Sequence, residues 1–307
     1  MITKRLALGL GVSSLLYAGC QHASNPVSPQ SGVVVEQMTN AWAPCVVVHS
    51  PGGIAFNTQM DELRKLQRAG KVSWIRLNTH LDGSGLEYHV EARRMGLRTL
   101  SIIALADLES AGWESAFDRL YGTYPSDMWE IADEITNADP NVNPVTVTPD
   151  YYMSKLSNLY TYVKSRYPAV TLTSAPTFGT GTSGASELEE FFKRGLLDMD
   201  VVVALNVYSN PALSSYATVI DKYAARLAGK RIWVTETGSS NPANHIAWVQ
   251  EFYPRLFNAV HPEMACWYAL WGGSGAAGDN GFGLLDGVES GHAVERPLFT
   301  ALLGQSK

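Results

Sequence analysis

The chain has 307 residues, of which 46% are hydrophobic and 17% charged, and its formal net charge is −6. This length and apolar content suffice for one large α/β domain with its own core. The acidic balance and the lack of long basic runs exclude the usual electrostatic footprint of a nucleic-acid-binding protein.

Residues 1–19 have the pattern of an export signal. Lys4 and Arg5 precede Leu6 to Leu16, an apolar run that is too short to span a bilayer. Small residues then lead directly to Cys20. The arrangement resembles a bacterial lipoprotein signal, in which Cys20 becomes the lipidated first residue of the mature protein. An ordinary secretory signal cut nearby is the alternative, and both interpretations export the protein.

Residues 20–40 are rich in Ser, Pro, Gln and Asn, a composition typical of a flexible tether. We therefore expect a single folded domain at residues 41–307. If Cys20 is lipidated, Gln21 beside it favours the outer membrane by resemblance to the bacterial sorting rule. The expected location is thus the outer membrane or a periplasm-facing surface, and otherwise the secreted fraction.

The domain reads as strand-then-helix units in uninterrupted succession. The predicted strands are Cys45 to Ser50, Val72 to Asn78, Leu97 to Leu105, Met128 to Glu134, Val170 to Ser174, Asp200 to Tyr208, Arg231 to Glu236 and Met264 to Trp271. The predicted helices are Thr58 to Ala69, Leu86 to Met95, Trp113 to Leu120, Asp150 to Arg166, Ser186 to Leu197, Leu213 to Leu227, Ala243 to Val260 and Arg296 to Leu303.

Most of these strands are continuously apolar, as parallel strands covered by helices must be. Eight units over this length predict a (β/α)8 TIM barrel. The rival fold is an open doubly wound sheet, which normally carries a glycine-rich phosphate turn after its first strand. Pro51-Gly52-Gly53 supplies no such turn, so the barrel is the better prediction.

Cys45 and Cys266 are the two cysteines inside the domain, and they fall in the first and last predicted strands. Those strands are neighbours in a closed barrel, so an exported protein has the option of a disulfide there. Two buried free thiols are the alternative, because sequence does not give the required Cβ geometry.

Polar residues stand at the ends of several predicted strands. In a barrel of this kind the chemistry lies at the carboxyl ends of the strands, where the loops form a cleft. The residues at or just beyond those ends are Arg76, Asn78, His80, Asp133, Glu134, Asn206, Tyr208, Glu236 and Trp271. Two glutamates at one barrel mouth suggest glycosidic bond cleavage, which needs one carboxylic acid to protonate the leaving oxygen and a second carboxylate as nucleophile or base.

Two segments resemble motifs of the clan A glycoside hydrolases, a superfamily of retaining (β/α)8 enzymes. Trp129-Glu130-Ile131-Ala132-Asp133-Glu134 matches the motif that ends strand four with the acid/base glutamate. Trp233-Val234-Thr235-Glu236-Thr237-Gly238 matches the one that ends strand seven with the nucleophile. The resemblance implies that Glu134 is the acid/base and Glu236 the nucleophile.

The same resemblance assigns roles to the surrounding residues. It implies that Arg76 holds Glu236 ionised, that Tyr208 hydrogen-bonds it, and that Trp271 forms the platform under the reacting sugar. Asn78, His80 and Asn206 are the further residues expected to bind substrate.

Asp133 departs from the clan's pattern, which has asparagine there to contact the 2-hydroxyl of the reacting sugar. An aspartate still accepts that hydrogen bond but donates no amide N–H, and it adds charge beside the acid/base. Two alternatives stay open on this strand: Glu130 as the catalytic acid in place of Glu134, and a loss of activity.

The sequence therefore predicts a retaining glycoside hydrolase acting by double displacement on a β-linked poly- or oligosaccharide. We expect a monomer whose partners are the carbohydrate and, through Cys20, the membrane, with no nucleic acid, no cofactor and no metal. Alternatives are a transglycosidase using the same glutamates and a surface-anchored carbohydrate-binding protein on a degenerate barrel.

Overall fold

A computed structural model describes residues 42–49, 53–135, 147–177, 182–209, 225–272 and 281–304. The export signal, Cys20 and the tether lie outside these residues, as does most of the helix predicted at Leu213 to Leu227. Within the described ranges no helix has the length and apolar character needed to cross a membrane.

Eight parallel strands form the predicted barrel. They are β1 Cys45–Val47, β2 Trp74–Thr79, β3 Arg98–Ile103, β4 Met128–Ile131, β5 Thr171–Thr173, β6 Val203–Ser209, β7 Ile232–Ser239 and β8 Met264–Trp267. The hydrogen-bonded order is β5-β4-β3-β2-β1-β8-β7-β6, and a parallel bridge between Thr173 and Val202 links the two outer strands. The (β/α)8 prediction is confirmed.

Helices lie between the strands and cover the outside of the barrel. They are α1 Gly53–Arg68, α2 Leu86–Arg94, α3 Trp113–Thr123, α4 Pro149–Arg166, α5 Thr182–Lys193, α6 Tyr253–Val260 and α7 Pro297–Leu302. Short helical turns at Pro242–Asn244, His245–Ala247 and Trp248–Phe252 lead into α6, and β9 Leu285–Asp286 pairs with β10 Val294–Glu295 after the barrel. Thr148 caps α4 by accepting a hydrogen bond from the backbone N–H of Tyr151.

The interior of the barrel holds a small apolar core of its own, separate from the larger one between strands and helices. Cys45 and Cys266 belong to it, both fully buried, and they are directly paired across β1 and β8. They form a disulfide, with Cα atoms 4.4 Å apart, which settles the open alternative in favour of the bond. The first and last strands of the barrel are therefore joined covalently.

Strand β7 carries one residue more than its neighbour requires. Leu205 pairs with Val234 and Asn206 with Glu236, so Thr235 is passed over in the ladder. Trp233 faces the barrel interior. If side chains alternated strictly along the strand, Glu236, three residues later, would face outward. The bulge at Thr235 reverses this parity and turns Glu236 into the barrel mouth.

Candidate active site

The guanidinium of Arg76 is the centre of the site. Arg76 points inward from β2 and is only 1% exposed. Its Nε and Nη2 atoms donate to Glu130 Oε2 and Oε1 over 3.1 and 2.5 Å, and its Nη1 donates to Glu236 Oε1. One buried cation therefore joins a carboxylate in the middle of β4 to the predicted nucleophile on β7.

Glu130 lies deep in the barrel and is fully buried. Burial raises its pKa to about 7, against the lowering effect of the Arg76 charge and hydrogen bonds. Because both of its oxygens are held by Arg76, the position fits a structural and electrostatic role. Glu134, not Glu130, is the carboxyl group that reaches the mouth.

Asp133 adds a further negative charge to the same cation. Its Oδ1 atom lies 3.0 Å from Arg76 Nη2, outside hydrogen-bonding geometry. That atom is buried and has no hydrogen-bond partner among the described residues, although the side chain as a whole is 27% exposed. The cluster therefore brings Asp133, Glu130 and Glu236 around one guanidinium.

Glu236 is 6% exposed and is held from both sides. Arg76 donates to Oε1 and the Tyr208 hydroxyl donates to Oε2. Burial and the charge of Asp133 nevertheless raise the pKa of Glu236 well above its usual range, although Arg76 and Tyr208 lower it. Arg76 and Tyr208 thus favour the ionised form of Glu236, the direction that the resemblance implies for Arg76, while burial and the charge of Asp133 oppose it.

Strand β4 ends earlier than predicted, at Ile131 rather than at Glu134. Ala132 and Glu134 have φ angles of 64° and 36°, in the left-handed region that non-glycine residues rarely adopt. Each such residue costs about 1–3 kcal/mol and is found most often where function requires it. Here the turn places Glu134 within reach of β6, where Asn206 Nδ2 donates to Glu134 Oε1 over 2.8 Å.

Aromatic rings lie beside Glu236, and they are not the ring that the sequence predicted there. Trp271 is only 4% exposed and belongs to the outer core: it lies beyond the end of β8 at Trp267 and pairs with Leu285. The ring at the site is that of Tyr268, whose centroid lies 5.9 Å from the Tyr208 ring and 5.8 Å from Phe282. Trp271 is therefore not the sugar platform.

His49, just beyond β1, is a further residue that sequence reasoning missed. Its ring packs edge-on against Tyr268 with centroids 5.3 Å apart. Burial, together with the charge of Arg76, lowers the pKa of His49 to about 4, so it is neutral at neutral pH. The only sequence signal was its place near the carboxyl end of the first predicted strand.

Gly238 explains the glycine of the strand-seven motif. It faces inward opposite Tyr208, and a Cβ there would lie 2.9 Å from the Tyr268 carbonyl oxygen. A side chain at this position would therefore push Tyr268 away from the site.

The remaining predicted residues lie on the rim. Asn78 occupies the inward position after Arg76 on β2 and is exposed. The His80 side chain is 49% exposed, with Nδ1 3.7 Å from Asp107 Oδ2. Within the described part of the chain no group of three or more His, Cys, Asp or Glu side chains is arranged to hold a metal ion.

No family model matches the sequence, and no curated protein matches it. Solved structures of several glycoside hydrolases do resemble the fold. A psychrophilic family 10 endo-β-1,4-xylanase has a TM-score of 0.58 at 10% identity, covering 89% of this chain and 99% of the xylanase. A family 128 (subgroup VI) exo-β-1,3-glucanase from Aureobasidium namibiae has a TM-score of 0.56 at 10% identity, covering 82% of this chain and 94% of the glucanase.

A calcium-binding mutant of β-glucuronidase 2 from Bacteroides uniformis also matches, with a TM-score of 0.56 at 14% identity over 80% of this chain. This chain spans only 32% of that larger protein. At such identities the likenesses show a shared (β/α)8 fold.

Proposed function

We propose that this protein is an exported glycoside hydrolase that cleaves β-linked poly- or oligosaccharides with retention of anomeric configuration. The observation that carries the proposal is the arrangement of two glutamates at the mouth of the barrel. Glu236 is held by Arg76 and Tyr208, and Glu134 is held by Asn206, which stands opposite Glu236 in the strand ladder. The resemblance of the fold to glycoside hydrolases supports the same proposal.

In the first step Glu236 attacks the anomeric carbon and forms a glycosyl ester. The glycosidic C–O bond breaks, and Glu134 gives its proton to the departing oxygen. Arg76 and Tyr208 orient the attacking carboxylate through its two oxygens. Because the pKa of Glu236 is raised, this step requires a pH high enough to ionise it.

In the second step Glu134, now a carboxylate, takes a proton from water. The resulting hydroxyl oxygen attacks the anomeric carbon, the ester bond breaks, and Glu236 leaves as a carboxylate. Asn206 donates a hydrogen bond to Glu134, which favours the ionised form needed to act as a base.

A mechanism-based 2-deoxy-2-fluoroglycoside tests the nucleophile directly. We expect mass spectrometry of the labelled peptide to place the sugar on Glu236, and NMR of the first product to show the substrate's anomeric configuration. Retention also requires the two carboxyl groups to lie about 5–5.5 Å apart, against about 6.5–9.5 Å for inversion. An inverted product would refute the double displacement.

A screen of β-glucans, mannans, xylans and bacterial exopolysaccharides identifies the substrate. Saccharide binding without product would favour a carbohydrate-binding protein on a degenerate barrel. Products longer than the substrate would favour a transglycosidase, in which a sugar hydroxyl replaces water in the second step.

Export and anchoring through Cys20 are part of the proposal. The disulfide between Cys45 and Cys266 supports export, because such bonds persist mainly in oxidising compartments. Metabolic labelling with radioactive palmitate is expected to mark the wild-type protein and not Cys20→Ser. An unlabelled wild-type protein found in the medium would instead indicate an ordinary secretory signal.

A further inference from the structure

Thr235, the bulged residue of β7, begins a chain of two hydrogen bonds that crosses the cleft. Its hydroxyl donates to Asn206 Oδ1 over 3.0 Å, and the other end of the same amide, Nδ2, donates to Glu134 Oε1 over 2.8 Å. Thr235 is fully buried and Asn206 is 1% exposed. The strand that delivers the nucleophile is thereby connected to the carboxyl group on the other side of the site.

We infer that Thr235 is a positioning residue for the acid/base Glu134 and acts on it through Asn206. The inference rests on the proposed glycosidase function. It adds a role for a residue that touches neither the substrate nor the reacting atoms.

The asparagine amide is asymmetric, since its oxygen accepts hydrogen bonds and its nitrogen donates them. A hydroxyl that donates to Oδ1 leaves Nδ2 directed at Glu134. With the amide reversed, Oδ1 would face the ionised carboxylate, and two acceptors in contact repel. Because Asn206 is shielded from water, solvent does not replace the hydrogen bond from Thr235.

The bulge connects this arrangement to the nucleophile. Thr235 Oγ1 also lies 3.4 Å from the carbonyl oxygen of Leu205, the residue at which the pairing of β6 and β7 shifts. The same inserted residue therefore turns Glu236 inward and brings a hydroxyl to Asn206. One local irregularity serves both glutamates.

A hydrogen bond donated by Nδ2 stabilises the ionised form of Glu134 relative to the protonated form. Loss of Thr235 should weaken it and move the basic limb of the pH profile of kcat/KM to higher pH. The ionisable groups around Glu134 on the other elements stay in place: Arg76 on β2, Glu130 and Asp133 on or after β4, Tyr208 on β6, Glu236 on β7 and Tyr268 after β8.

The test compares Thr235→Val, which removes the hydroxyl but keeps the β-branched shape, with Thr235→Ser, which keeps the hydroxyl. Each variant is assayed on two aryl glycosides of the sugar that the wild type hydrolyses. A 2,4-dinitrophenyl leaving group departs without acid assistance, whereas a phenyl group needs it.

We expect Thr235→Val to lower kcat/KM about 10-fold on the poor leaving group, in line with one weakened hydrogen bond. On the dinitrophenyl glycoside kcat/KM should stay within about twofold of wild type, because the first step no longer depends on Glu134. Thr235→Ser should retain most of the activity on both substrates.

An equal loss of kcat/KM on both substrates would overturn the inference and assign Thr235 a purely structural role. Equal losses of kcat/KM in Thr235→Val and Thr235→Ser would overturn it as well. A crystal structure of Thr235→Val decides the same question without activity. Asn206 Nδ2 should no longer hydrogen-bond Glu134, and an unchanged 2.8 Å contact would refute the inference. If the wild type hydrolyses no glycoside, the proposed function fails, and this crystallographic result still decides whether Thr235 orients Asn206.

Discussion

The two halves of the barrel interior differ in chemistry although the same strands build both. The half that we call lower is an apolar cluster in which Cys45, Trp74 and Met128 are the first residues of their strands. Its members are Cys45, Val47, Trp74, Leu100, Met128, Val202, Trp233, Cys266 and Ala269. One inward position further along, Trp74 is followed by Arg76 and Met128 by Glu130. About 6.6 Å of strand therefore separates a core that stabilises the fold from a charged cluster that is costly to bury.

This difference shows how the barrel combines stability with a strained site. The lower half contributes apolar burial and a disulfide, and the upper half contains buried carboxylates and left-handed backbone at Ala132 and Glu134. Changes in the upper half should therefore alter activity and its pH dependence, and changes in the lower half should alter stability.

The largest effect is expected from Glu236→Gln in the upper half. Without the nucleophile, kcat should fall by at least about 10⁴-fold, while the melting temperature should not decrease, because a buried carboxylate has been neutralised. Glu251→Gln, at an exposed position before α6, is the matched control and should leave kcat unchanged. Surviving activity in Glu236→Gln would show that the nucleophile has been misassigned.

The opposite result is expected in the lower half from the double substitution of Cys45 and Cys266 by alanine. The bond closes a loop with a sequence separation of 221, and its loss should cost about 2–5 kcal/mol of unfolding free energy. Urea unfolding measures this cost, and kcat at 25 °C should stay near that of wild type. A large loss of kcat with unchanged stability would contradict the proposed separation of the two halves.

A smaller effect is expected from Asp133→Asn. The charge of Asp133 raises the pKa of Glu236, so its removal should lower that pKa and move the acid limb of kcat/KM to lower pH. Asp82→Asn, at an exposed position after β2, is the control and should leave the limb in place. If Asp133→Asn also leaves it in place, another group sets the acid limb.

The smallest effect is expected from Glu130→Gln, as a change in how stability depends on pH. In the folded wild type the pKa of Glu130 is raised by burial to about 7, so the folded state binds more protons than the unfolded state between pH about 4.5 and about 7. Its contribution is therefore fully present at low pH and is lost as pH rises through that range. Across pH 5 to 8 the melting temperature of Glu130→Gln relative to wild type should rise, and a constant difference would contradict a raised pKa.

Much of the fold could be predicted because its signals are local. Continuously apolar strands alternating with amphipathic helices require a parallel sheet covered by helices, and the number of units indicates a closed barrel. Pro149 marks the first turn of α4, and Thr148 before it provides the cap. The predicted bounds differ from the observed ones mainly at the ends of elements, where tertiary contacts decide.

The site could be predicted less completely. Its key features depend on which face of a strand each side chain occupies and on how deeply each group is buried. The apolar run continues to Trp271, but β8 stops at Trp267, so the ring that faces the site is that of Tyr268. The bulge at Thr235 and the balance of charges on Glu236 need the pairing register and the burial of each group. Neither quantity appears in a sequence pattern.

The bond between Cys45 and Cys266 has a consequence for resistance to proteolysis. It makes nearly the whole barrel one covalent ring, since it links the first strand to the last. A protease that cuts a single surface loop between the two cysteines leaves the fragments attached to each other. The two pieces keep their high effective concentration, so the nicked barrel stays assembled until the bond is reduced or a second loop is cut.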